Sequence, residues 1–285
     1  MNIVINDKPA DITLDTEKTL GDVLSGIEQW ISPLGNRIQG ISVNGKVISE
    51  DLLPNAFTQD IREIEELDIV VSSWRELAVE ALIHLKETCE SYWNAPFLER
   101  ENIGVSWGNS AAARFLQSDI PDLYNLAVLG LSGVGLSIPD LAILIEERLR
   151  ELLNTWMEIG LSDTQVKTIA QRMEELPLDL QTGKDERAAE TIQHFARIGE
   201  KLFRIFSILK SDGISLDSFT IDDLPGPAFV DEFNAALKEL SMAYENRDTV
   251  LVGDLAEYEL APRLMKFFAA LKSFSELSYS LASKP

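Results

Sequence analysis

Residues 61–85 read IREIEELDIVVSSWRELAVEALIHL, and the pattern changes period inside that stretch. Before Ser73, Leu67, Ile69 and Val71 alternate with polar neighbours, as in a half-buried strand. After Trp74, Leu77, Ala81, Leu85 and Thr88 recur at helical spacing, with Val79, Leu82 and Ile83 widening the stripe. The break predicts a strand-rich head, residues 1–73, followed by an all-helical body, residues 74–285.

Upstream, Ile3 and Ile5 alternate with polar residues, Lys8-Pro9-Ala10 reads as a turn, and Ile12 and Leu14 resume the period, which predicts a hairpin. Thr19 is placed to cap a helix, with Asp22 in the capping-box position. Leu20, Val23, Leu24, Ile27 and Ile31 form its apolar stripe, and Pro33 and Gly35 stop it. Ile41 and Val43 lead into Asn44-Gly45 and Val47, the strongest short hairpin signal a sequence can carry. The order is strand, strand, helix, strand, strand.

This order and length over residues 1–72 resemble the ubiquitin-like β-grasp fold, notably the small sulfur carriers of thiamine and molybdopterin synthesis. Those carriers end in a Gly-Gly whose carboxylate is adenylated and thiocarboxylated. Here the last strand runs into Ser72-Ser73-Trp74 and the chain continues, so carrier chemistry has no atom to act on. The resemblance then implies a docking module. The predicted fold class is α+β, an N-terminal β-grasp (ββαββ) module followed by an all-α helical bundle.

The net charge is −22, from 47 acidic against 25 basic side chains, which makes nucleic acid and anionic lipid poor partners. The acidity serves solubility or docking to a protein with a basic face. Cys89 is the one cysteine, so no intramolecular disulfide forms. No secretory signal is evident at Met1–Asp7. The most apolar run, around Leu126 to Ile145, is interrupted by Gly130, Gly133, Gly135, Pro139 and Asp140. A cytoplasmic protein with no membrane insertion is expected.

In the body, residues 96–109 read as loop or short turns, with short helices at Ala111–Leu116 and from Pro121 to about Leu129. Ser137 should cap a helix that runs to about Ile159, with Gly160 ending it. Ser162 and Gln165 suggest a capping box for the next helix, to about Leu176, with loop over 178–184. The strongest helix spans Glu186–Lys210, where Ala188, Ile192, Phe195, Gly199, Leu202, Phe206 and Leu209 keep a 4-3-4-3 spacing up to Asp212-Gly213. A loop through Pro225-Gly226-Pro227 precedes a helix over about Phe229–Asn246. A final helical stretch, Val250–Ala282, carries Leu251, Met265, Phe268, Leu271 and Leu281, with a kink or break expected at Pro262. Five or six long helices result.

Chemistry-bearing residues are scarce. Cys89 and His84 lie five apart, which on a helix turns them about 140° from each other, so a packed cysteine is expected. His194 sits on the polar side of its helix, exposed or in an interface, and two histidines with one cysteine fall short of a usual zinc site. The stretch Gly130-Leu-Ser-Gly133-Val-Gly135 lacks the strand before it and the Gly-Lys-Ser/Thr after it that a phosphate loop needs, and its apolar character suggests a buried helix connector. Asp254, Glu257 and Tyr258 fall within one turn of each other and form a candidate polar cluster. Trp74, Tyr92, Trp93, Phe97 and Trp107 gather around the connector and form either a candidate interaction surface or the joint between head and body. The segment Val250–Phe268 resembles small helical bacterial proteins, some linked to flagellar assembly.

These readings point to a non-catalytic adaptor or chaperone-like protein with a protein partner, no catalytic residues, no metal and no cofactor. One alternative is an enzyme or ligand-binding protein with a carboxylate site at Glu146, Glu147 or Asp254 in the bundle. Another is a subunit of a bacterial motility or secretion apparatus. Oligomeric state is not legible in the sequence.

Overall fold

The computed structural model describes residues 1–212 and 220–282, leaving aside the side chains of residue 50 and residues 275–282. It has an α+β fold, an N-terminal five-stranded mixed sheet followed by helices. Two compact units are distinguished, Met1–Leu149 with Ser211–Gly213, and Arg150–Lys210 with Ile214–Pro285. The expected stop at Gly213 and the side chain of Leu281 lie outside the described residues.

The first unit begins with β1 (Asn2–Ile5), β2 (Lys8–Pro9), α1 (Leu20–Ile31), β3 (Asn36–Val43), β4 (Lys46–Val47), α2 (Leu53–Ala56) and β5 (Glu66–Ser73). Sheet order is β2-β1-β5-β3-β4, with β1 parallel and β3 antiparallel to the central β5. This topology is compatible with a β-grasp-like N-terminus. Registers bring Ile3 and Val43 opposite Leu67, and Ile5 and Ile41 opposite Ile69. Ile3, Ile41, Val43, Leu67 and Ile69 share a core with Leu20, Val23, Leu24, Ile27 and Ile31 of α1. Thr19 and Asp22 close the expected capping box. Asn44 and Gly45 take φ of 50° and 75°, matching the twist of the strands they join.

The first hairpin turns earlier than its sequence suggests. Asn6 and Asp7 adopt φ of 48° and 63°, and Lys8–Pro9 is strand rather than turn. Asn and Asp tolerate the left-handed region, so the turn is available without glycine. Ile12 and Leu14 pack against the core outside any strand.

Ser73 and Glu76 form a capping box that starts α3 (Trp74–Asn94) directly off β5. Its buried face is Ala78, Ala81, Leu82, Leu85, Cys89 and Tyr92, rotated from the predicted stripe so that Ile83 is exposed. Then come α4 (Phe97–Gly108), α5 (Ala111–Asp119), α6 (Pro121–Leu131) and α7 (Ile138–Leu153), whose residues from Arg150 count with the second unit. The segment 96–109 is thus a helix and not a loop. Its Gly104 is a packing residue, because a Cβ there would stand 3.3 Å from the Leu131 carbonyl oxygen.

Asp119 joins the sheet to the helices of this unit. Arg37 of β3 donates to both of its oxygens at 3.0 and 2.7 Å, and the Trp74 indole donates at 3.1 Å. Burial pushes its carboxyl up, but hydrogen bonds from Arg37, Ser118 and Trp74 outweigh that and hold it below the ordinary aspartate value.

The second unit contains α8 (Thr155–Glu174), α9 (Leu176–Gln181), α10 (Asp185–Ser211), a hairpin of β6 (Thr220–Ile221) and β7 (Leu224–Pro225), α11 (Gly226–Glu245), α12 (Thr249–Asp254), a π-helical turn Leu255–Leu260 and α13 (Ala261–Ala282). Phe195, Phe203, Phe206, Phe229, Phe233 and Phe267 pack ring against ring, with centroids between 5.0 and 6.4 Å. The seam predicted on α10 faces this core.

Several boundaries differ from expectation, and more than five or six helices are present among the described residues. The chain breaks at Asn154 and passes through Gly160 as helix. Ser162 lies inside α8, where its buried hydroxyl donates to the Glu158 carbonyl instead of capping. Part of 178–184 belongs to α9. Gly226 and Pro227 form the first turn of α11, since proline there gives up no needed bond. Pro262 causes no break. A wider turn precedes it, with the Ala261 N–H bonded to the Ala256 carbonyl, and the helix continues.

The buried carboxylates are Glu151, Glu158 and Asp179, among the described residues. Arg204 grips Glu151 with two bonds, 2.9 and 2.7 Å, and Lys201 donates to Glu158 at 2.7 Å. Arg187 stands 3.1 Å from Asp179. Acids seven apart at 151 and 158 thus meet cations three apart on α10, running in opposite directions. Arg204→Ala would leave Glu151 without its bidentate partner and should lower stability by about 3 kcal/mol in urea unfolding. Replacing Glu151 and Arg204 together by Met should recover more than about half of that loss. In the first unit, Gly35 has φ of 72° and a Cβ there would stand 2.5 Å from the Ser211 carbonyl oxygen. Gly35→Ala should therefore destabilise by about 1–3 kcal/mol in the same measurement.

Candidate interaction site

The turn Ala95-Pro96 ends α3, and α4 starts with its first two residues, Phe97 and Leu98, pointing to solvent. Arg100 then folds α4 back. It donates to the carbonyls of Ala95 at 3.2 Å and Trp93 at 3.3 Å, satisfying the C-terminal end of α3. Its guanidinium also lies over the Tyr92 ring, 5.4 Å from the centroid. Further along, Trp107 is buried and stacks on Tyr124 of α6 at 5.8 Å. Its indole nitrogen is buried without a hydrogen-bond partner.

The outcome is a cleft of about 600 Å³ whose walls include Tyr92, Phe97, Leu98, Val105, Trp107 and Val128. Phe97 is 84% and Leu98 87% exposed, and Trp93, Val105, Val128, Leu129 and Val134 are also exposed. Large apolar side chains held out in water over adjoining elements are the usual mark of a contact surface. Glu101 in its wall is exposed.

The aromatic candidates separate into three groups. Trp74 stays at the sheet junction, bonded to Asp119 and tilted against Phe115 at 6.5 Å. Tyr92 and Trp107 form the floor of the cleft, and Trp93 and Phe97 lie out in solvent. Leu98 and Val105 have no distinguishing signal in the sequence, because their exposure depends on a helix, α4, in a segment whose Pro, Gly and Asn residues give a loop-like pattern.

Asp254, Glu257 and Tyr258 lie around the π-helical turn, with Tyr258 and Asp254 exposed. A hydrogen bond to Glu257, the charge of Glu257, burial and Asp254 together raise the tyrosine pKa. The nearby cation, Arg263, pairs with Glu259 and approaches Glu232 at 3.6 Å. Glu146 is exposed and pairs with Lys86 at 3.1 Å. No group of three His, Cys, Asp or Glu could hold a metal ion among the described residues. Nor, among these residues, is any helix long and apolar enough to cross a membrane.

His84 and His194 are exposed and Cys89 is buried, so α3 turns the thiol and imidazole apart. Gly133 and Gly135 take φ of 74° and 88° in the turn between α6 and α7. That turn is exposed and not a buried crossing, since Ser132, Val134 and both glycines face solvent.

Two family models match the chain. The TP0873 N-terminal domain covers residues 1–73, and a domain of unknown function, DUF8042, covers residues 162–269. No curated protein matches. No solved structure matches either.

Burial, reinforced by the neighbouring Glu90 charge, pushes the Cys89 thiol up to about 11. The native chain keeps this proton above pH 9, where an unfolded thiol releases it, so this contribution to stability is lost between pH 9 and 11. Cys89 should resist a thiol reagent at neutral pH and react within the unfolding transition when urea is raised. Rapid labelling of the folded chain would contradict the buried placement.

Proposed function

We propose that this chain is a non-catalytic protein-interaction module of the adaptor or chaperone-like kind, with a ubiquitin-like β-grasp head and a docking cleft between α4 and α6. The supporting observation is the pair Phe97 and Leu98, almost fully exposed at the mouth of an aromatic-floored cleft. Its volume falls within the range of preformed sites, about 300–1,000 Å³. Such a groove suits the apolar face of an amphipathic helix. Exposed Glu101 in its wall and the net charge of −22 favour a helix flanked by lysine or arginine, so the partner is a protein segment with apolar anchors in a basic setting. A cytoplasmic location accords with this reading.

The buried acids support a non-catalytic reading, because Glu151, Glu158 and Asp179 each have a cation at hydrogen-bonding or ion-pair distance. Carboxylates held in this way maintain structure and are poorly placed to exchange protons with a substrate.

A photo-reactive residue at position 98 or 105 should cross-link to a captured native partner at a helix carrying basic residues. Phe97→Asp with Leu98→Asp should weaken capture of that same partner by about tenfold or more, at unchanged melting temperature. Raising salt should weaken it further, as screening removes the acid–base attraction. Undiminished capture by the double variant would overturn the cleft as the docking site.

A further inference from the structure

The outer face of α8 differs from the rest of this acidic chain. Met157 and Leu161, one turn apart, are 53% and 64% exposed, and Leu153 at the end of α7 is 61% exposed. Thr164, Thr168 and Gln171 continue the line at steps of three and four, all exposed. The seam 157, 161, 164, 168, 171 thus keeps a coiled-coil-like spacing on the side away from the core.

On α8 no exposed acid precedes Glu174, its last residue; Glu175 follows and accepts from Gln171 at 3.1 Å. Glu158 is buried against Lys201, and Asp163 is held by Lys167 at 2.6 Å and Lys272 at 3.3 Å. By contrast, α10 exposes Glu186, Glu190 and Glu200, and α11 exposes Asp231, Glu232 and Glu239. In a chain of charge −22, a long helical face whose exposed acids lie only at its C-terminal end is a departure that the fold of the monomer does not require.

Gly160 supplies an independent sign. It sits inside α8 with helical backbone, exposed, and a Cβ there would meet nothing within 4 Å. A mid-helix glycine costs about 0.5–1 kcal/mol relative to alanine, and none of the described residues comes close enough to require it. Close approach from outside the chain would.

We propose that this face of α8 pairs with the same face of a second copy of the chain, as a two-fold dimer centred near Gly160 and Leu161. A basic partner would find exposed acids only at the C-terminal end of this face, at Glu174 and Glu175. Two copies of an anionic chain, however, can approach through this strip without setting carboxylate against carboxylate. The helix is about 30 Å long, and two such faces would bury on the order of 1,000 Å² in all, the lower bound for a specific interface. An interface near that lower bound makes the expected dimer a reversible one.

Sedimentation velocity of the full chain over roughly 5–300 μM should show a monomer–dimer equilibrium that strengthens with salt, as self-repulsion is screened. Met157→Asp with Leu161→Asp should weaken it by about tenfold or more while the far-ultraviolet spectrum and melting temperature stay unchanged. Independently, Gly160→Cys should form an intermolecular disulfide on mild oxidation faster than Gln193→Cys on exposed α10. A chain that stays monomeric throughout, a dimer indifferent to the double change, or equal cross-linking at both cysteines would overturn the proposal. Partner capture through the α4 cleft should survive the α8 variants, so the two surfaces can fail separately.

Discussion

An excess of acid over base sets the terms on which this chain can fold, because a buried carboxylate must find one of a small number of cations. Glu151 and Glu158 meet Arg204 and Lys201, and Asp179 meets Arg187, with Lys184 3.6 Å away. Removing one cation leaves a buried carboxylate less compensated in low dielectric, whereas the intact pair contributes little beyond break-even. The pairs therefore act chiefly on specificity. They hold α10 in register with the end of α7 and with α8, something an apolar seam of similar residues defines only loosely.

In the first unit the same logic operates once, at Asp119. A β-strand arginine and the first residue of a helix converge on one carboxylate, tying the sheet to the helices through directional bonds. The helix cap at Ser73 starts α3 as soon as β5 ends, so there is no flexible joint between strand and helix. Rigid support of this kind lets the α3–α4 corner hold Phe97 and Leu98 in water. Arg100 maintains the corner by closing the α3 carbonyls and covering Tyr92. Exposure of large apolar groups is unfavourable in the isolated chain, and a bound partner would remove that penalty.

Local signals were legible wherever one residue decides one backbone feature. The capping boxes at Thr19 and Ser73, the Asn44-Gly45 turn and the α10 seam follow from side-chain reach, left-handed tolerance and helical period. Misreadings came where packing overrode the local rule. Gly104 looks like a loop residue until the close approach of Leu131 is seen, and Ser162 looks like a cap until its hydroxyl is found bonded back along the helix. Pro262 looks like a break until the turn before it widens. Asn6-Asp7 hid a turn because Lys8-Pro9 carried the more familiar turn residues.

By itself, the sequence determined the change of period at Ser73, the elements on either side of it, the acidic surface and the scarcity of thiol and imidazole, since these depend only on neighbours along the chain. Tertiary structure alone decided which acids are buried and paired, which aromatics form a floor and which stand in solvent, and that α8 turns Met157 and Leu161 outward. Such properties belong to residues far apart in sequence. Their energies arise from contacts made only when helices cross, and no local period records where a crossing occurs.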